Sequence, residues 1–103
     1  MIDIKKIYFK KNNFEISIEV DDICKVTYNN KTKMVKIELI IEFIVNIIKI
    51  TYDWKCEYIN RGYIDGDSWY LVIDKKKYIG HAEYPSNFSS LEKQFDMIIS
   101  NFV

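Results

Sequence analysis

The chain is poor in the residues that build phosphate-binding loops, metal sites and disulfide frameworks. Its 103 residues include three glycines, two cysteines, one histidine and one proline. No GxGxxG, GxxxxGK[ST] or GxSxG pattern occurs, which excludes the common nucleotide-binding loops and the serine-hydrolase elbow, and no cofactor is predicted. Cys24 and Cys56 are 32 positions apart without a CxxC spacing, so no structural zinc site is predicted. We expect two reduced, mostly buried thiols in a cytoplasmic protein.

Neither sign of charge is in excess, because fifteen basic side chains balance fifteen acidic ones. This balance argues against a protein that neutralises many nucleic-acid phosphates, and equally against an acidic nucleic-acid mimic. Only one arginine is present, although arginine is the best side chain for recognising phosphates and base edges. The composition therefore argues against a nucleic-acid partner. Eight tyrosines and the run Lys75–Lys77 nevertheless leave RNA or single-stranded DNA binding open as an alternative.

The sequence has no apolar run long enough to cross a membrane. Its most apolar stretch, residues 34–50, is interrupted by Lys36, Glu38, Glu42, Asn46 and Lys49, whereas a membrane helix needs about 20 nearly uncharged residues. The start of the chain also lacks the apolar segment of a secretory signal. With 49% hydrophobic and 16% aromatic residues, residues 1–103 can bury the core of one domain. We expect a soluble, cytoplasmic protein with no membrane partner.

The first 28 residues alternate between apolar and polar side chains, as half-buried β-strands do. From Phe14 to Val20 every even position is apolar and every odd position is polar. Asn12 and Asn13 before this segment favour a tight turn, because Asn tolerates positive φ. The turn predicts a register in which Phe9 faces Ile16, Ile7 faces Ile18, Lys10 faces Glu15 and Lys6 faces Glu19. Apolar residues then meet and opposite charges pair, and a one-residue slip would break both patterns.

A third strand is predicted after Asp21 and Asp22. A three-residue connection keeps its apolar positions on the core face, with Cys24 opposite Val20, Val26 opposite Ile18 and Tyr28 opposite Ile16. The polar run 29–32 then predicts the end of the sheet segment. Residues 34–50 are predicted to be a helix, since Glu38, Glu42, Asn46 and Lys49 share one narrow helical stripe.

The C-terminal half predicts a second strand group and a final helix. Asp65–Gly66 is a turn signal, Ser68–Asp74 and Lys77–Tyr84 are strands, and Lys75–Lys76 joins them. The predicted pairs are Ile73 with Tyr78, Leu71 with Gly80, and Trp69 with Ala82. Pro85 ends the second strand, and Ser89 with Glu92 reads as the capping box of a helix. The predicted fold is α+β, an antiparallel sheet of five to six strands ordered β-β-β-α-β-β-β-α, with two helices on one face.

One run of motifs resembles a family of small bacterial proteins of unknown function. The motifs are Trp54-x3-Tyr58, Asp65-Gly66-x2-Trp69, and Gly80-x3-Tyr84-Pro85-x-Asn87-Phe88. They cover about residues 38–100. The resemblance supports a helix before Trp54 and implies no activity. Each motif residue also has a structural reading: Gly66 permits a turn, Gly80 admits Leu71, and Pro85 with Asn87 redirects the chain into the last helix.

Catalytic and metal chemistry find few candidates in the sequence. His81 is the only imidazole, and the predicted register places it opposite Tyr70 on the side away from Trp69. Either cysteine could be proposed as its nucleophile, but Cys24 is already assigned to the core face of another strand. Carboxylates around the Trp54–Trp69 segment could bind a divalent cation or act as an acid and base pair; they are Asp53, Glu57, Asp65 and Asp67. Asp65-Gly66-Asp67 lacks the spaced ligands of a calcium loop, and turn chemistry explains both aspartates. We predict no catalytic residue and no metal ligand.

The remaining functional candidate is an outward sheet face. If Trp69, Leu71 and Ile73 pack on the helices, Tyr70, Val72, Ile79 and His81 form an apolar face for a protein partner, with Asp65 and Asp67 as loop contacts. Coverage by the N-terminal strands or by residues 54–64 is the alternative. The sequence thus favours a non-catalytic inhibitor of another protein. Its small size, its lack of catalytic and cofactor motifs, and its bias toward amino acids with AT-rich codons favour an anti-CRISPR or other anti-defence protein from a phage or mobile element. An immunity protein is the alternative, and a homodimer is compatible with the same surface.

Overall fold

Within residues 3–62 and 66–103, which the computed structural model describes, the chain forms seven strands and two α-helices. The strands are β1 (Lys6–Lys11), β2 (Phe14–Glu19), β3 (Ile23–Tyr28), β4 (Lys31–Lys36), β5 (Glu57–Ile59), β6 (Ser68–Ile73) and β7 (Lys76–His81). The α-helices are α1 (Ile41–Thr51) and α2 (Phe88–Phe102), and a 3-10 helix, Ile37–Leu39, precedes α1. The predicted α+β class is confirmed, with more strands than the five to six expected.

All seven strands belong to one sheet, in the spatial order β4-β3-β2-β1-β6-β7-β5. Every described pairing is antiparallel except that of β5 with β7. The N-terminal strands therefore extend the sheet sideways and do not cover its outward face. One face of the sheet packs on both helices and forms the core.

The predicted register of the first hairpin is confirmed in full. Lys6 pairs with Glu19, Ile7 with Ile18, Phe9 with Ile16 and Lys10 with Glu15. Asn12 adopts a φ of 54° at the turn, as the sequence required. The third strand also pairs as predicted, with Val26 opposite Ile18 and Tyr28 opposite Ile16.

Strand β4 lies where the sequence predicted the end of the sheet and the start of a helix, so the predicted helix boundary at residue 34 is wrong. Asn29 and Asn30 have φ values of 51° and 62°. Positive φ at two successive residues builds the two-residue turn that matches the twist of a hairpin, and Tyr28 therefore pairs with Lys31. The helix begins only at Ile41. Two asparagines that read as a break are in fact a hairpin turn.

The predicted register between β6 and β7 is wrong by two residues. The observed pairs are Trp69 with Gly80, Leu71 with Tyr78, and Ile73 with Lys76. The turn is formed by Asp74 and Lys75 and not by Lys75 and Lys76, because Asp74 adopts a φ of 53°. A shift of two residues keeps every side chain on its predicted face, since the period of a strand is two, but it changes every partner.

Asp74 also ties this turn to the start of the chain. Its Oδ1 accepts hydrogen bonds from the backbone N–H groups of Lys5 (2.7 Å) and Lys6 (2.9 Å), and its own N–H donates to the Lys6 carbonyl oxygen at 2.9 Å. An aspartate tolerates the left-handed conformation and at the same time supplies an acceptor for neighbouring N–H groups. The turn position is therefore set by a contact that is remote in sequence.

The capping box predicted for the last helix is absent from the start of α2. The helix begins at Phe88 with Asn87 in the cap position, so Ser89 lies inside the first turn. Glu92 instead forms an ion pair with Lys11 of β1 at 3.1 Å. The Ser-x-x-Glu pattern falls two residues too late in the chain to cap this helix. The strand before it also ends earlier than predicted, at His81 and not at Tyr84.

Aromatic rings fill the core between the sheet and the helices. Phe9 of β1 stacks on Phe95 of α2 with ring centroids 4.8 Å apart, and Phe43 of α1 meets the same ring at 5.4 Å. Trp69 is 2% exposed and is the centre of a second group. The ring centroids within 4.9–6.5 Å of Trp69 belong to Trp54, Tyr58, Tyr84 and Phe88. Its indole N–H donates to the Glu83 carbonyl oxygen at 3.0 Å, so the buried polar atom is satisfied.

Gly80 makes room for the Trp69 indole. A Cβ atom at position 80 would lie 1.9 Å from Trp69 Nε1 and 2.2 Å from Cε2. Gly80 has no positive φ, so the need for glycine here is one of space. The sequence predicted Leu71 as the residue that Gly80 admits, and the two-residue register shift corrects this to Trp69.

We predict that Gly80→Ala destabilises the fold mainly through Trp69. Trp69→Ala removes a large buried side chain and should cost about 3–5 kcal/mol. Gly80→Ala forces the indole out of its position and should cost about 1–3 kcal/mol or more. In the Trp69→Ala background the added methyl group meets no ring, so the two changes together should cost clearly less than their sum. Urea unfolding of all four proteins measures this coupling.

Gly62→Ala is the matched control, because a Cβ at position 62 would lie 3.3 Å from the Asn60 side-chain oxygen only. It should change the unfolding midpoint little. Additive costs for Gly80→Ala and Trp69→Ala would show that the indole does not occupy the space above the glycine.

Candidate functional site

The outward face of the sheet is the surface on which the sequence placed a binding site. Residues of β1 and β6 alternate between buried positions, which pack on the helices, and positions that are exposed or half-buried. Neither α-helix packs on the second set. Across residues 3–62 and 66–103, this face is therefore a continuous surface that spans all seven strands.

Three of the four predicted face residues lie side by side, and a fourth side chain joins them. Tyr70 pairs directly with Ile79, and Val72 pairs with Tyr8 of β1. The Tyr8 and Tyr70 rings meet edge to face with centroids 6.0 Å apart. We call these four residues, Tyr8, Tyr70, Val72 and Ile79, the sheet patch. Sequence reasoning missed Tyr8, because β1 and β6 are more than 50 residues apart and no local signal announces their pairing.

The sheet patch is apolar but accessible. Ile79 is 37% exposed, and the other three side chains are half-buried. Half-buried tyrosines present a ring face for contact while their neighbours fix the ring position, which keeps the entropy cost of binding low. The patch is therefore preorganised for contact with an apolar group.

Charged side chains surround the sheet patch, and lysines outnumber carboxylates there. By register, the lysines on this face are Lys6, Lys10, Lys25, Lys36 and Lys77, and the carboxylates are Glu15, Glu19 and Glu57. Glu15 accepts a hydrogen bond from the Tyr8 hydroxyl, and Glu19 lies 3.8 Å from the Lys25 ammonium. Two of the three carboxylates are thus already engaged within the face. Because five lysines stand against three carboxylates, the face carries a net positive charge.

Tyr8 keeps its proton well beyond the ordinary range. Burial, the hydrogen bond to Glu15 and the negative charge of that carboxylate together raise the pKa of Tyr8 to about 12, and burial contributes the most. A phenolate at this position would stand beside the Glu15 carboxylate in a partly desolvated site. Tyr8 is consequently neutral near pH 7 and donates its hydroxyl proton to Glu15.

His81 lies at the end of the sheet patch, but its neighbour differs from the predicted one. It pairs with Ser68 and not with Tyr70, because of the register shift between β6 and β7. His81 Nδ1 and Ser68 Oγ are 2.9 Å apart. A serine beside a histidine is one part of a nucleophilic site, which also needs an orienting group and oxyanion donors. A single cross-strand hydrogen bond assigns no reaction.

Cys24 is far from this histidine. Cys24 is buried on the core face of β3, and its thiol donates to the Asp21 carbonyl oxygen at 3.4 Å. Burial raises the pKa of the Cys24 thiol. Three strands separate β3 from β7, where His81 lies on the other face. Cys56 is exposed, so the prediction that both thiols are mostly buried is wrong for this one, which lies just before the short edge strand β5.

The predicted loop contacts do not join the sheet patch. Asp65 lies outside the described residues. Asp67 is exposed, and its side chain accepts a hydrogen bond from the Tyr84 hydroxyl at 3.4 Å, on the side of the Trp69 group. In the part of the chain that the structure describes, no three metal-ligating side chains come together. Asp67 acts here as a partner of Tyr84.

Comparison with protein-family models, with curated proteins and with solved structures finds no match to this chain. The resemblance carried by the tryptophan, Asp-Gly and Tyr-Pro motifs therefore stays a prediction. Neither α-helix among residues 3–62 and 66–103 has the length and apolar character needed to span a membrane.

We predict that Tyr8 ionises in a separate step at high pH. The folded chain holds the Tyr8 proton more tightly than the unfolded chain, whose tyrosines ionise near pH 10. The stabilisation from this group is therefore complete below pH 10 and is lost as the pH rises toward 12. Tyrosinate absorbance should show one step near pH 12 that Tyr8→Phe removes and Glu15→Gln moves to lower pH.

Tyr52→Phe is the control for this titration, since Tyr52 is 88% exposed at the end of α1, and it should leave the step in place. If Tyr8→Phe also leaves the high-pH step unchanged, the Tyr8–Glu15 contact does not exist in solution.

Proposed function

We propose that this protein is a non-catalytic protein-binding module that contacts its partner through the sheet patch. One observation carries the proposal: Tyr8, Tyr70, Val72 and Ile79 are contiguous on the face of the sheet that neither α-helix covers. Apolar patches rimmed by charged residues commonly mark protein contact sites, and tyrosines are enriched among the residues that contribute most to binding.

The charges around the patch favour an acidic partner surface. Five lysines and three carboxylates lie on this face, and Glu15 and Glu19 already contact groups within it. Such a rim speeds association with an acidic surface and selects against a basic one, whereas the apolar centre contributes most of the affinity. We therefore propose a partner with an apolar spot surrounded by Asp and Glu side chains.

Within this class, the proposed role is inhibition of the partner protein in the cytoplasm. An anti-CRISPR or other anti-defence role and an immunity role against a toxin both require a small domain with one strong contact surface. The neighbouring genes discriminate between them, since a toxin gene favours immunity and a phage operon favours anti-defence. A second copy of the chain on the same face would give a homodimer, which sedimentation detects.

Binding of RNA or single-stranded DNA is the second candidate, and one observation favours it. Tyr8 and Tyr70 lie on one sheet face with five lysines, which is the combination that sheet-based single-strand binders use for stacking and phosphate contact. Against it, the two rings meet edge to face and are half-buried, so that stacking area is limited. Protein binding therefore ranks first.

A pull-down at low and high salt separates the two candidates. We expect one protein partner that survives high salt, because apolar contact is not screened. A nucleic-acid complex should instead weaken steeply, with a log–log slope of about −0.7 per phosphate neutralised on single strands. The captured protein is then purified, and its affinity for the wild-type chain and its variants is measured.

Tyr70→Glu/Val72→Glu is the variant that tests the surface, and it should abolish binding of the purified partner. Leu39→Glu/Met97→Glu is the matched control, since both side chains are apolar and more than half exposed on helical segments away from the sheet patch. Circular dichroism and the unfolding midpoint establish that both variants fold. Equal affinity of the two variants for the partner would refute the assignment of this face.

A further inference from the structure

A separate cleft lies on the helix side of the sheet, away from the sheet patch. It has a volume of about 690 Å³ and is bordered by the end of α1, the turn between β6 and β7, and the residues that precede β1. Small-molecule sites in proteins usually measure about 300–1,000 Å³. The cleft is therefore large enough to bury most of a small ligand.

The floor and walls of the cleft are apolar. Ile73 and Tyr78 are buried at its base, and Ile48 and Tyr52 border it from α1 with 43% and 88% of their surface exposed. Thr51 is the polar residue among the helix contributions, and its hydroxyl already donates to the Ile47 carbonyl oxygen at 2.9 Å. Covering this surface would remove apolar area from water, which is favourable.

The rim of the cleft is cationic. Lys5, Lys75 and Lys76 border it together with one carboxylate, that of Asp74. Oδ1 of Asp74 accepts two backbone hydrogen bonds, from Lys5 and Lys6. No ion pair among the described residues involves the three rim lysines. The rim therefore offers ammonium groups to an anion.

Tyr78 borders the cleft and carries a hydroxyl group. The residue is 5% exposed, and no described hydrogen bond involves its hydroxyl, although the ring is held against Trp54 at 5.7 Å. Among the described residues, every fully buried side-chain oxygen or nitrogen has a hydrogen-bond partner. The Tyr78 hydroxyl has none and therefore retains some access to solvent. A nearly buried hydroxyl without a protein partner is a group that a ligand can engage.

We propose that the cleft binds a small amphipathic carboxylate, such as a free medium-chain fatty acid. The apolar chain lies against Ile48, Ile73 and Tyr78, and the carboxylate lies at the rim beside Lys75 and Lys76. The positive charge of the rim favours an anionic ligand, and the volume of the cleft favours a small molecule. This site does not depend on the sheet patch, since the two lie on opposite faces of the sheet.

Decanoate, used below its micelle concentration, is the probe, and decylammonium is its matched cation. Titration followed by backbone amide NMR shifts measures both affinities. We expect saturable decanoate binding with shifts around Thr51, Asp74 and Tyr78, and decylammonium binding weaker by about tenfold or more. Equal affinity for the two ions would overturn the proposal, because the rim lysines would then have no part in recognition.

Two pairs of substitutions test the rim. Lys75→Gln/Lys76→Gln should weaken decanoate binding about tenfold. Lys31→Gln/Lys33→Gln is the control with the same change of charge on the distant strand β4, and it should leave the affinity unchanged. Equal weakening by the two pairs would mean that net charge alone attracts the anion, and the proposed site would be wrong.

Ile48→Asn tests the apolar wall, and phosphatidylglycerol vesicles test the source of the ligand. Ile48 is 43% exposed, so the variant should fold while losing affinity for decanoate. Vesicle flotation should recover little protein, because the cleft is built for one free chain. Capture on vesicles without saturable decanoate binding would replace the proposal with attachment to an anionic membrane surface.

Discussion

The antiparallel pairing of β1 with β6 is the contact on which the rest of this molecule depends. It joins the four N-terminal strands to the C-terminal group through five residue pairs, from Ile7 with Ile73 to Lys11 with Trp69. Without it the sheet would separate into two smaller sheets, and β1 and β6 would each become a new open edge. On the core face the pairing brings Phe9 beside Leu71, and on the outward face it brings Tyr8 beside Val72. The core and the sheet patch thus lie on opposite faces of the same strand pair, and both depend on it.

Contacts at the end of the β1–β6 pair also explain the position of the cleft. At one end of β1, the backbone N–H groups of Lys5 and Lys6 bind the Asp74 carboxylate. This contact holds the β6–β7 turn against the start of the chain, and the end of α1 supplies the third wall. At the other end of β1, Lys11 forms an ion pair with Glu92 of α2 and lies 5.2 Å from the Tyr84 ring centroid. The two ends of β1 therefore contact the β6–β7 turn and α2.

Local interactions made part of this fold predictable from the sequence. The first hairpin has a two-asparagine turn and matched pairs on both faces, so that only one register satisfies all of its residues. The β6–β7 hairpin has no such turn pair, and its true position depends on the contact of Asp74 with Lys5, which is remote in sequence. The outward residues Tyr70, Val72 and Ile79 were nevertheless placed correctly, because a shift of two preserves the face. Tyr8 could not be predicted as part of the sheet patch, since no sequence pattern near it indicates that β1 pairs with β6.

The edge strand β4 has a consequence for how this sheet behaves in a crowded solution. Lys31, Lys33 and Val35 lie on the same face of β4, the face that packs on the helices elsewhere in the sheet. Val35 is buried there, whereas both lysines are exposed because they lie beyond the area that the helices cover. A foreign strand that added to this edge would have to place side chains beside two ammonium groups. Inward-pointing lysines on an outer strand are a known defence against such addition. The sheet can thus keep a broad, uncovered face for recognition while one of its borders resists growth into a polymer.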